Sequence, residues 1–95
     1  MRVRIGGKYW DLVYEQLPRG TDGLCDPPTK PHKKIRLDRS LLRNDAKHLD
    51  TLLHEVIHAE QWWLDEDYVA EAASDMARIL IKLGWRFLPD GTQED

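Results

Sequence analysis

Ninety-five residues suffice for one domain with a modest core, a size at which a bound metal is a useful staple. Hydrophobic residues at 41% and charged residues at 33% suit a globular chain and exclude a disordered one. A net charge of −3 and a pI of about 5.8 give no general basic field for nucleic acid or anionic lipid.

No apolar stretch approaches the roughly 20 residues that a bilayer span requires. The opening segment, Met1-Arg2-Val3-Arg4-Ile5-Gly6, lacks the apolar core of a signal peptide. Cys25 is the one cysteine, so an internal disulfide is excluded. The expected setting is therefore the cytoplasm, with no membrane partner and no nucleic acid.

Arg2 to Ile5 alternates charged and β-branched residues, Gly6-Gly7 offers a two-residue turn, and Lys8 to Leu17 resumes a strand pattern. This predicts a β-hairpin. Pro18 to Pro31, with Asp26-Pro27-Pro28 inside it, reads as a loop. Lys33 to Asp38 reads as a third strand, charged enough for an exposed edge. The wider basic run, Lys30 to Arg39, reads as a solvated face.

Asn44 or Asp45 then caps a helix running to about Trp62 or Trp63, with Leu49, Leu52, Leu53, Val56 and Ile57 on its apolar side. Asp65 or Asp67 caps a second helix. Its buried stripe holds Val69, Ala72, Ala73, Met76, Ala77, Ile79, Leu80 and Leu83, and Gly84 ends it. Trp85 to Leu88 adds a short strand or simply packs. The predicted fold class is α+β: a three-stranded antiparallel or mixed sheet followed by two packed helices. Residues 1–88 form a single domain and 89–95 a flexible tail.

The chemistry concentrates in His54-Glu55-Val56-Ile57-His58. Histidines four residues apart on a helix share one face, so both imidazoles reach one tetrahedral zinc ion. Glu55, next to the first histidine, is placed to act as general base on a water at an open coordination position. A catalytic site needs a third protein ligand. Glu71 and Asp75, four residues apart on the second helix, supply a ligand and a hydrogen-bonding neighbour that orients a histidine ring. Glu66, Asp67 and Asp75 itself are the other carboxylates within reach. Alanine at positions 70, 72, 73 and 77 lets the helices approach closely.

H-E-x-x-H on one helix and E-x-x-x-D on the next resembles the gluzincins, the thermolysin-like metallopeptidases. Here the pattern is carried by His54, Glu55, His58, Glu71 and Asp75, with Thr51-Leu52-Leu53 and Ala59 fitting the wider helix pattern. Glu60 departs from it, since an apolar residue is usual there. The chain is far shorter than thermolysin and is more similar to minimal gluzincins and to short H-E-x-x-H proteins of bacteria and phages.

The resemblance implies a zincin-like fold holding one zinc through His54, His58 and Glu71, and hydrolysis of a peptide or protein substrate. It also implies that the strand Lys34 to Asp38 is the edge on which an extended peptide docks above the metal. The alternative is a zinc-stabilised binding or regulatory module, and Glu55 discriminates, because a purely structural site has no use for that carboxylate. Three further residues carry open roles. Cys25 is either a small buried side chain or a thiolate that blocks the open position. His32 or Tyr68 would stabilise an oxyanion, whereas His48 reads as a surface residue. The sequence does not determine the oligomeric state.

Overall fold

Gly6 and Gly7 adopt φ of +57° and +80° in a computed structural model that describes residues 1–88. Positive φ at both central positions defines the tight hairpin turn matched to strand twist. It joins strand β1 (Arg2–Ile5) to β2 (Lys8–Glu15), with Ile5 opposite Lys8 and Arg2 opposite Asp11. The expected tail, 89–95, lies outside the described residues.

Among the described residues the sheet has four strands, not three. A short strand, β3 (Gly23–Cys25), forms inside the stretch expected to be a loop and pairs antiparallel with β4 (Lys34–Asp38). Strand β4 in turn runs parallel to β2, with Leu12 opposite Ile35 and Tyr14 opposite Leu37. The sheet is mixed, in the order β1-β2-β4-β3. Strand β4 is therefore interior, and the edge role expected of it falls to β3.

The charges that made β4 resemble an edge lie on one face of its pleat and find partners there. Arg36 lies 3.1 Å from Glu15 and 3.5 Å from Asp26. Ile35 and Leu37 alternate with them and are fully buried. Asp26 also accepts a hydrogen bond from the Lys34 amide at 2.8 Å, which ties the end of β3 to the start of β4.

A short 3-10 turn (Arg39–Arg43), capped by Asp38, leads into α1 (Asp45–Glu60). Asn44 caps α1 by accepting from the Lys47 amide at 3.0 Å. Helix α2 (Glu66–Lys82) starts after five connecting residues, with Asp65 accepting from the amides of Asp67 and Tyr68. It ends as expected at Gly84, whose φ is +102°. The Gly84 amide donates to the Ile81 carbonyl and the Trp85 amide to that of Leu80, satisfying the last turn.

The sheet packs on α1 through Trp10, Ile35, Leu37, Leu41 and Ala59. Helix α2 packs on α1, burying Val69, Ala73 and Ala77; of the alanines expected to permit close approach, positions 73 and 77 are the fully covered ones. Helix α1 thus lies between the sheet and α2. No helix among the described residues is long and apolar enough to cross a membrane.

Trp10 is 1% exposed, and its indole N–H donates to the Asp26 carbonyl at 3.1 Å. Trp10→Ala is expected to destabilise the fold by about 3–5 kcal/mol, a large share of the stability of a small domain. Urea unfolding reads this directly; a loss below about 1 kcal/mol would remove Trp10 from the centre of the core.

Candidate metal centre

His54 and His58 stand one turn apart on α1, with ring centroids 4.7 Å apart. Helix periodicity places both on one side. The connection 61–65 turns the chain back, so the first residue of α2, Glu66, arrives over them. Its carboxylate oxygens lie 2.9 Å from Nε2 of His54 and 2.8 Å from Nε2 of His58. Among the described residues these three are the only His, Cys, Asp or Glu group whose ligand atoms converge, all within 4.8 Å of one another. The group has the composition and spacing to hold a metal ion. Two neutral imidazoles and a carboxylate suit zinc, whose ligands, about 2.0–2.1 Å from a tetrahedral ion, stand roughly 3.3 Å from each other.

Glu71 is not part of this group. It is exposed on α2, as is Asp75, which pairs with Arg78 at 2.9 Å instead of orienting a histidine. Helix geometry explains the difference from the sequence reading. Because α2 begins at Glu66, its first turn meets the histidines. Glu71, five residues further on, lies about 7.5 Å along the axis and well around it.

Glu55 is 7% exposed and lines a cleft of about 470 Å³ together with His54, His58, Glu66, Trp62 and β3. Burial pushes its carboxyl up to about 7; the nearby His54 opposes that rise and Glu66 adds to it. Strand β3 rests on this carboxylate. A Cβ at Gly23 would meet Glu55 Oε2 and Thr51 Cγ2, each at 2.9 Å. Glycine is required there for close approach, not for an unusual φ. Gly23→Ala is accordingly expected to displace β3 or Glu55 and lower the melting temperature by several degrees, corresponding to about 1–3 kcal/mol of overpacking. An unchanged melting temperature would show that the strand yields freely.

Cys25 is half-buried on the same wall, and its thiol donates to the Asp26 carbonyl at 3.4 Å. Burial, reinforced by the Glu55 and Asp26 carboxylates, pushes this thiol up to about 12. It is a neutral side chain outside the convergent group, which does not favour a blocking thiolate. Neither His32 nor Tyr68 lines the cleft: His32 borders a separate groove with Tyr9, Trp10 and Lys33, and Tyr68 points from α2 into solvent.

His48, expected at the surface, is 1% exposed. Its Nε2 lies 2.7 Å from the Tyr14 hydroxyl, with Trp85 and Phe87 packed edge-on to the ring. The aromatic residues after α2 thus bury it, a contact with no local signal in the sequence. A separate groove of about 640 Å³, bordered by Arg19, Arg39 and Arg43, holds no convergent ligand set among the described residues. No family model, curated protein or solved structure matches this chain.

Proposed function

We propose that this chain is a minimal, zincin-like zinc metallopeptidase in which His54, His58 and Glu66 hold one ion and Glu55 is the general base. The observation that carries the reading is the convergence of two imidazoles and a carboxylate at a cleft that also contains a buried, unligated carboxylate. When bound, zinc supplies Lewis acidity, polarising a carbonyl and making water more acidic. Glu55 Oε2 takes the proton from the attacking water and passes it to the departing amine. Glu55 is held for that task between its own helix and strand β3, which passes close over it at Gly23.

Strand β3 supplies the substrate platform. Asp22 and Asp26 bond to β4, so by the alternation of an antiparallel pair the backbone groups of Gly23 and Cys25 face the free edge. An extended peptide pairing with that edge runs along the wall of the metal cleft. Leu24 and Trp62 offer apolar surface beside it.

Incubating the purified protein with one equivalent of zinc and a peptide library is the direct test. Cleavage that stops with a chelator and returns with zinc is expected. Zinc binding with no cleavage of any peptide or protein would instead support the metal-stabilised binding module.

A further inference from the structure

We propose that α2 is a self-association surface, on which a second copy of this chain packs antiparallel about a two-fold axis near Met76. This inference is independent of the peptidase reading. Helix α2 buries one face on α1 and leaves another to solvent. On that open face Tyr68, Ala72, Met76, Ile79 and Leu83 follow one another at spacings of four and three residues, one continuous stripe. Tyr68 is 58% exposed, Met76 42%, Ile79 58% and Leu83 78%. A stripe of that length, about 22 Å, exceeds the scattered apolar exposure normal for a surface.

The charges beside the stripe identify the occupant. Glu71, Asp75, Arg78 and Lys82 run along one flank, with acid in the N-terminal half and base in the C-terminal half. All four are exposed, and Asp75 and Arg78 already pair within the chain. A two-fold axis perpendicular to the helix brings the same flank of both copies together with the direction reversed. Glu71 of each copy then meets Lys82 of the other, and Asp75 meets Arg78. Both pairs are centred at the same point of the helix, between Met76 and Ala77. The apolar stripe has nearly the same centre: Tyr68 meets Leu83, Ala72 meets Ile79, and Met76 meets itself.

A parallel pairing about a two-fold axis would bring opposite flanks together, setting these four charges beside the partner's Val69, Ala73 and Ala77 side and leaving them without charged partners. Charge and apolar pattern thus agree on one arrangement, self-complementary as an isologous dimer must be. A single helix pair of this length is a small interface, below about 1,200 Å² in total. Association is therefore reversible and concentration-dependent.

Sedimentation equilibrium on the intact chain, from low micromolar to about 1 mM, tests this. The 11.1 kDa chain should approach twice that mass as concentration rises. Ile79→Glu should weaken association at least tenfold. Two double variants, Glu71→Lys with Asp75→Lys and Arg78→Glu with Lys82→Glu, should each be monomeric alone. Mixed one to one, they should form a heterodimer at least tenfold tighter than either homodimer. Circular dichroism confirms that each variant folds, and a heterodimer signal itself requires folded chains. Wild-type protein that stays monomeric to about 1 mM overturns the proposal and leaves the stripe to another partner. Charge variants that self-associate as wild type does, or a mixture that forms no heterodimer, overturn the antiparallel arrangement.

Discussion

Glu55→Gln is expected to slow peptide hydrolysis by about 10²–10⁴-fold while leaving zinc stoichiometry unchanged. The side chain keeps its volume, which matters because Gly23 allows no slack against it. Glu55 lies outside the convergent group of His54, His58 and Glu66, so no metal ligand is lost. Burial already disfavours the charged carboxylate, so a neutral amide should not cost the metal-free fold stability. The melting temperature should therefore hold or rise. Chemistry and fold separate cleanly in this variant, which a histidine substitution does not achieve. Equal cleavage rates for wild type and Glu55→Gln would remove Glu55 from the mechanism.

Features encoded by local geometry were legible in the sequence. Gly6-Gly7 announces the hairpin, Asn44 or Asp45 and Asp65 or Asp67 bracket the helix starts, and Gly84 marks the end of α2, because each sets the backbone within one turn of itself. The two histidines were legible for the same reason, their shared face being a consequence of helical period alone.

Features that depend on placement across the chain were not legible. Strand β3 has three residues and no room for a periodic signal; it exists because Asp22, Leu24 and Asp26 find β4. The charges of β4 suggested an edge, but Glu15 and Asp26 neutralise Arg36 from neighbouring segments. Choosing among the carboxylates of α2 required knowing where that helix begins relative to His58. The capping role of Asp65 was the available clue, since it fixes Glu66 as the first helical residue. Periodicity places Met76, Ile79 and Leu83 on the apolar face of α2 without saying what covers it, and all three are exposed.

The choice of third ligand gives the second large effect. Glu66→Gln is expected to weaken zinc binding by more than about 100-fold, beyond the 10–100-fold typical for losing a partner that only orients a ligand. Glu71→Gln should leave affinity unchanged, because that side chain points to solvent from a later turn of α2. His58→Ala should match or exceed the Glu66 variant, since it removes a nitrogen donor from a set of three. Ligand bonds formed only in the folded chain add to folding stability, so both deficient variants should also lose most of the rise in melting temperature that zinc confers. Competition with a chromophoric chelator measures all three affinities on one scale. If Glu71→Gln releases the metal and Glu66→Gln retains it, the ligand reverts to Glu71. The 2.8 and 2.9 Å contacts of Glu66 would then be histidine–carboxylate pairing that precedes metal binding. Loss in both variants would mean that the two carboxylates share the ion, which requires the first two turns of α2 to shift toward α1.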